Sequence, residues 1–246
     1  MNKISMDDTN NMTTSEKLPL AAIIPAFQPD NRIIKIGQTL LSYFSSVIIV
    51  NDGSDADKKS IFDTLQAHGC TILTHSHNQG KGAALKTAFA FVRANNNIKQ
   101  VITLDADGQH QLSDVLTVAR ASLNNADSIT LGSRHFDNQV PFRSRFGNCI
   151  TRWFFKKVYG VSRVDTQTGL RVIPALLLSS LLQLNYSRYE YELGMLIYAA
   201  KKQISINQIV IETIYENNNA SSHFRPFIDS CRIYKVLLGG YFTKTF

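Results

Sequence analysis

Five short runs of apolar and β-branched residues recur through the first half of the chain: Leu20 to Ile24, Val47 to Val50, Thr71 to Thr74, Val101 to Leu104 and Ser128 to Leu131. Runs this short, with little alternation, read as strands buried on both faces. Between them, apolar residues fall at helical spacing. Ile33, Ile36, Leu40 and Tyr43 mark one helix, residues 56–67 a second, and Ala83, Ala84, Leu85, Ala88 and Phe89 a third. Strands alternating with helices imply right-handed crossovers. The expected fold class is therefore α/β, a mainly parallel central sheet flanked by helices.

In such sheets ligands bind beyond the carboxyl ends of the strands. Four successive carboxyl ends carry polar loops with Gly or Pro: Pro25 to Pro29, Asn51 to Asp55, His75 to Gly82 and Asp105 to His110. Four such loops on one rim predict a site. In the last, Asp105, Asp107 and Gln109 alternate. If strand geometry persists there, all three side chains point the same way. Two carboxylates and an amide oxygen are hard ligands suited to Mg²⁺ or Mn²⁺, whose shell is completed by water and a diphosphate. A calcium EF-hand is excluded, because its loop needs Gly at the sixth position and Glu at the twelfth. Counting from Asp105, those positions are His110 and Leu116. The other reading of Asp-x-Asp-Gly is a solvated turn, with Asp bonded to its own backbone.

Composition narrows the partners. A formal net charge of +7 over 246 residues favours anions. A nucleoside diphosphate and an anionic membrane surface both qualify. Nucleic acid is not expected, since no basic run or recognisable module is present. The three cysteines, Cys70, Cys149 and Cys231, have no metal or disulfide spacing, which fits a reducing compartment. No apolar h-region opens the chain, and no apolar run approaches the ~20 residues of a membrane span.

Residues 1–17 read as a polar, aperiodic tail, 18–227 as one domain, and 228–246 as an amphipathic C-terminal segment. In that last segment Ile233, Val236, Leu237, Tyr241 and Phe242 lie among Arg232, Lys235 and Lys244. Both a core-packing helix and a membrane-surface helix fit this pattern. The same two readings apply to residues 146–159, where Trp153, Phe154, Phe155 and Tyr159 adjoin Arg152, Lys156 and Lys157. Residues 208–215 alternate like a strand near a sheet edge. Glu192, opening a helix-like segment, reads as a first-turn charge favoured by the helix dipole.

Taken in order, six segments resemble the family 2 inverting glycosyltransferases with a GT-A fold, and within them the dolichyl- or polyprenyl-phosphate mannosyl- and glucosyltransferase branch. They are Ile23-Ile24-Pro25-Ala26-Phe27, Val50-Asn51-Asp52-Gly53-Ser54, Asn78-Gln79-Gly80-Lys81-Gly82, Asp105-Ala106-Asp107-Gly108-Gln109, Gly132-Ser133-Arg134 and Asp165 to Arg171. The resemblance implies transfer of a hexose from a nucleotide-diphosphate sugar, of the GDP-mannose or UDP-glucose type, to an acceptor such as polyprenyl phosphate. It places Pro25, Phe27 and Asp52 around the nucleoside, with Asp52 accepting from the base, and Lys81 near the base or the diphosphate. Asp105, Asp107 and Gln109 would hold the Mg²⁺ or Mn²⁺ that bridges the diphosphate. Arg134 and Arg145 would face the acceptor phosphate, and Gln167 would lie beside the donor sugar or the acceptor. Gln167 and Thr168 depart from the commoner Thr-Ser-Gly form. Ser221 to Pro226 resembles a segment that closes over the diphosphate, with Arg225 as a phosphate clamp. The implied location is the cytoplasmic face of a membrane, held peripherally.

A lipid-phosphate acceptor is already an anion and hardly needs a general base, whereas a hydroxyl acceptor needs one. Asp165 is the candidate base, with a cap or turn role as the equal alternative. A glycan-hydroxyl acceptor and an inactive sugar-nucleotide-binding homologue are the competing readings. A sugar-nucleotide pyrophosphorylase would carry a Gly-rich phosphate loop after the first strand, where this chain has Pro25-Ala26-Phe27-Gln28-Pro29.

Overall fold

The structure is a computed structural model, and it describes residues 17–95, 97–134, 156–157, 165–166, 168–212, 232 and 235–236. The strands are β1 (Leu18–Ala26), β2 (Phe44–Asn51), β3 (Thr71–Thr74), β4 (Gln100–Thr103), β5 (Ile129–Arg134), β6 (Arg171–Pro174) and β7 (Ile206–Ile211). The helices are α1 (Arg32–Tyr43), α2 (Lys59–Ala67, entered through a 3₁₀ turn at Ala56–Lys58), α3 (Lys81–Ala94), α4 (Leu112–Leu123), α5 (Ala175–Leu182) and α6 (Glu190–Lys201).

The seven strands form one sheet in the order β3-β2-β1-β4-β6-β5-β7. The parallel half, β3-β2-β1-β4, follows the expected alternation. The strand β6 departs from it, running antiparallel to both β4 and β5. Its register sets Arg171 opposite Thr103 and Pro174 opposite Gln100. An antiparallel neighbour begins where its partner ends, so the chain leading into β6 arrives at the carboxyl end of β4. Among the described residues the strand β7 lies at the sheet edge, pairing in parallel with β5.

Side chains alternate between the two faces and feed two apolar cores. One face packs Ile23, Ile48, Val50 and Val101 against Leu85 and Phe89 of α3, Leu178 of α5 and Leu196 of α6. The other packs Ala22, Ile24, Ile49 and Ile102 against Ile33 of α1, Leu65 of α2 and Val118 of α4. Each central strand is thus buried on both faces, which is why its sequence is apolar without alternation. Val236 from the C-terminal segment is buried in the first core. At that position the segment packs inward. The remainder of 228–246, apart from Arg232 and Lys235, lies outside the described residues, as do the tail 1–16 and most of 146–159.

Candidate active site

The loops at the carboxyl ends of β1, β2 and β3 are tied together by side chains. Ser54 Oγ accepts from the Gln28 N–H at 2.9 Å, and Asn51 Oδ1 accepts from the Ser54 N–H at 2.9 Å. Asp52 is the main knot. Its Oδ1 accepts from the Gln79 N–H at 2.9 Å and its Oδ2 from the Gly80 N–H at 2.8 Å. His75 Nδ1 donates to Oδ1 at 2.7 Å, and its Nε2 lies 2.8 Å from Thr87 Oγ1, to which it is hydrogen-bonded. Only 3% of Asp52 is exposed. Asp52 was expected to accept from a base, but the bonds seen here hold the β3–α3 loop. Gly53 makes the crossing possible. Its φ is +71°, and a Cβ there would lie 2.2 Å from the His77 carbonyl carbon.

The helix α3 begins directly after Gly80, and its early amide at Ala83 donates to the Ser187 carbonyl at 2.8 Å. The first helical residue is Lys81. Its ammonium lies 2.6 Å from Asp105 Oδ1 and 2.8 Å from Glu192 Oε2. Glu192 comes from the first turn of α6, a helix whose surroundings are apolar on nearly every side. Burial opposes the charge on Lys81, yet the Asp105 and Glu192 carboxylates outweigh it and hold the ammonium above its ordinary value. Burial alone would raise the Asp105 carboxyl. The Lys81 ammonium, with His110 at 3.8 Å, holds it well below the usual carboxylate range. A share of 31% of the Asp105 side chain stays exposed, so a ligand can reach it.

Past Asp105 the strand does not continue. It ends at Thr103, and a turn through Ala106–Asp107 follows, with Gly108 at φ +76°. The alternation expected to aim Asp105, Asp107 and Gln109 together is therefore not what places them. Asp107 Oδ1 accepts from the Gln109 N–H at 3.0 Å, the self-bonded turn weighed as the other reading. Such a turn is compatible with ligation, because each carboxylate keeps further lone pairs. Burial, and then the charge of Asp105, push the Asp107 carboxyl upward. Both nitrogens of His110 are buried without a hydrogen-bond partner.

The segment entering β6 closes the other side. Thr103 Oγ1 donates to the Gly169 carbonyl at 2.8 Å. Gly169 presses so closely on Asp105 that a Cβ there would lie 2.2 Å from Oδ2. Arg171 is fully buried. Its guanidinium donates to the carbonyls of Thr168, Thr166 and Glu192, and Nε is 3.8 Å from Glu192 Oε1. Asp165 has no exposed surface and lies in the field of Arg171.

A divalent ion fits this donor set. Among the described residues, the carboxylates of Asp105, Asp107, Asp165 and Glu192 gather about the cations Lys81 and Arg171 and the His110 ring. The repulsion that raises Asp107 is the kind a cation relieves. Among the described residues no three His, Cys, Asp or Glu side chains form a closed cage. Hard carboxylate and amide oxygens of this kind suit an ion that takes most of its shell from water and substrate oxygens.

Of the other expected residues, Pro25 and Phe27 are half-buried at the end of β1. Arg134 ends β5 opposite Ile211; its side chain, with Arg145, Gln167 and Arg225, lies outside the described residues. Sequence reasoning missed the site roles of Glu192, Arg171, His75 and Arg188, whose Nη1 donates to Asn78 Oδ1 at 3.2 Å. The signal available for Glu192 was a charge flanked by Tyr191, Leu193, Met195 and Leu196, in a helix with no polar face to hold it.

Residues 22–179 match the family model described as glycosyl transferase family 2. A UDP-N-acetylglucosamine–dolichyl-phosphate N-acetylglucosaminyltransferase of Methanococcus voltae is 27% identical over 236 residues, covering 88% of this chain and 94% of its own. A dolichyl-phosphate β-glucosyltransferase of Saccharomyces cerevisiae is 26% identical, covering 84% and 70%. Among solved structures, glucosyl-3-phosphoglycerate synthase of Mycobacterium tuberculosis, in complex with Mn²⁺, UDP and glucosyl-3-phosphoglycerate, superposes with a TM-score of 0.67. The identity is 16%, with 90% of this chain and 79% of that one covered, so the shared property is the GT-A fold.

Proposed function

Because the chain belongs to glycosyl transferase family 2 and is a glycosyltransferase, we propose that it moves a hexose or N-acetylhexosamine, with inversion, from a nucleotide-diphosphate sugar to a polyprenyl phosphate. The observation that carries this reading is the meeting of Lys81, Asp105, Asp107 and Glu192 at the ends of the parallel strands.

Asp105, Asp107 and Gln109 would hold Mg²⁺ or Mn²⁺. Bound there, the ion supplies positive charge to the diphosphate leaving group. The chain's own residues do the rest. Pro25, Phe27 and the loop knotted by Asp52 would line the nucleoside pocket, and Asp52 Oδ2, which accepts from the Gly80 N–H, would have a lone pair for the base. Lys81 fixes the orientation of Asp105. Arg134, Arg145 and Arg225 would bind the phosphates of acceptor and donor, where guanidinium forks fit paired oxygens. Gln167 would meet the sugar. The buried Asp165 favours an acceptor that arrives as an anion, since such a nucleophile has no proton to surrender. The methanogen relative's name carries a uridine donor, so a UDP sugar is the donor class assigned, with GDP-mannose as the comparison. Among the described residues no helix is long and apolar enough to cross a membrane. With a net charge of +7, peripheral attachment to an anionic cytoplasmic leaflet is the location assigned.

The test is transfer of radiolabel from UDP-glucose, UDP-N-acetylglucosamine or GDP-mannose to dolichyl or undecaprenyl phosphate in anionic vesicles with Mn²⁺. Label in the lipid extract, lost with EDTA, is expected. Label reaching only a soluble hydroxyl acceptor would overturn the lipid assignment. Tight nucleotide binding without turnover on any acceptor would leave a binding homologue instead.

A further inference from the structure

The proposed function assigns Asp105 to a divalent ion, yet in this structure an internal cation already sits on it. Lys81 Nζ is 2.6 Å from Asp105 Oδ1, closer than a Coulombic contact needs, and 2.8 Å from Glu192 Oε2. The lysine is poorly exposed, at 14% of its side chain, so water does little to screen it. It emerges from the first residue of α3, just after Gly80, so its backbone is fixed at the rim. A Cβ on Gly80 or on Gly82 would already meet the Ser187–Arg188 backbone, which shows how tightly this helix start is seated. Glu192 is held in turn beside Arg171, whose guanidinium lies 3.8 Å from Oε1.

We infer that Lys81 is a resident counter-cation that competes with the divalent ion for Asp105, and that Glu192 is a positioning residue that draws the ammonium aside. The inference rests on the proposed metal site. Oδ2, on the far side of the same carboxylate, faces Gly169 and His110. Sharing the ammonium between Asp105 and Glu192 keeps the Asp105 carboxylate aimed while the site waits for donor. It also weakens the site's hold on a free ion. Full affinity then comes only when a diphosphate adds its own oxygens and charge, which couples ion uptake to donor binding.

The test is Mn²⁺ alone, followed by the electron paramagnetic resonance signal of the free ion, with full-length protein and no nucleotide. Lys81→Met is expected to tighten Mn²⁺ binding on the order of tenfold, and Glu192→Gln to weaken it by a similar factor, since each tenfold is about 1.4 kcal/mol. The opposite signs are what distinguish a competitor from a strut: removing a residue that only props the site loosens metal binding in both variants. Lys81→Met also leaves Asp105 and Glu192 without their shared partner. If that variant unfolds without metal, Mn²⁺ titrated into refolding mixtures is expected to rescue it at lower concentration than stabilises the wild type. Weaker or unchanged Mn²⁺ binding in Lys81→Met overturns the competition. Unchanged or tighter binding in Glu192→Gln overturns the positioning role. A wild-type chain that binds no Mn²⁺, with or without UDP or GDP, overturns the metal site itself.

Discussion

Gly169→Ala is the most direct probe of how the β6 approach shapes the site. Gly169 lies outside the left-handed region, so its backbone accepts alanine, and only contact decides the outcome. The added Cβ would lie 2.2 Å from Asp105 Oδ2, 2.6 Å from Cγ and 2.7 Å from Oδ1. Non-bonded heavy atoms settle near ~3.5 Å, so the carboxylate or the segment must yield by about 1 Å. Neither moves freely. Lys81 grips Oδ1 at 2.6 Å, and Thr103 holds the Gly169 carbonyl at 2.8 Å. Overpacking of this kind costs about 1–3 kcal/mol. For a chain of this size that is a fall in Tm of roughly 2–10 °C. A displacement of about 1 Å at a reacting centre costs on the order of 100-fold in rate. The expected result is a kcat/KM for Mn²⁺-dependent sugar transfer about two orders of magnitude below wild type, with a modest loss in thermal unfolding. An alanine variant with wild-type kcat/KM would refute the reasoning, whatever its stability, because it would mean Asp105 need not sit where Gly169 allows it.

Two further substitutions separate holding the fold from holding the substrate. Asp107 has its folded proton affinity raised, by burial and then by Asp105. Its stabilising contribution is therefore complete below the ordinary carboxylate value of about 3.9 and is lost as pH rises through the folded value. Asp107→Asn is expected to raise the metal-free Tm at neutral pH, with the gain vanishing in acid, while abolishing Mn²⁺-dependent transfer; paired melting curves with and without Mn²⁺ check this. Asp52→Asn replaces an acceptor of three bonds with a half-donor, so at least one of the Gln79 and Gly80 amides loses its partner. Urea unfolding is expected to show a loss of about 1–3 kcal/mol, together with a higher KM for the nucleotide sugar as the β3–α3 loop loosens.

The parallel half of the sheet and its four rim loops were readable in the residue order, because strands buried on both faces must be apolar throughout and their loops must carry the turn residues. The Asp105–Gln109 motif was readable too, although the reason offered for its geometry was not the operative one: a turn at Ala106–Asp107, not an extended strand, disposes the two carboxylates. Asp52 was legible as important, but its duty of lacing one loop to the next depends on amides at Gln79 and Gly80, more than twenty positions away.

What the residue order determined alone was local: apolar periodicity chose strands and helices, and the spacing of Asp, Gly and Lys chose the chemistry of each loop. What only the tertiary structure decided was which distant groups share a low-dielectric space. The direction of β6 is one such decision, since a four-residue strand reads the same in either sense, yet running antiparallel to β4 is what brings Gly169 and Arg171 to Asp105. The meeting of Lys81 with Glu192 is the other. A charge in an apolar helix is unfavourable until an opposite charge arrives from elsewhere in the chain, and periodicity carries no information about where that partner lies.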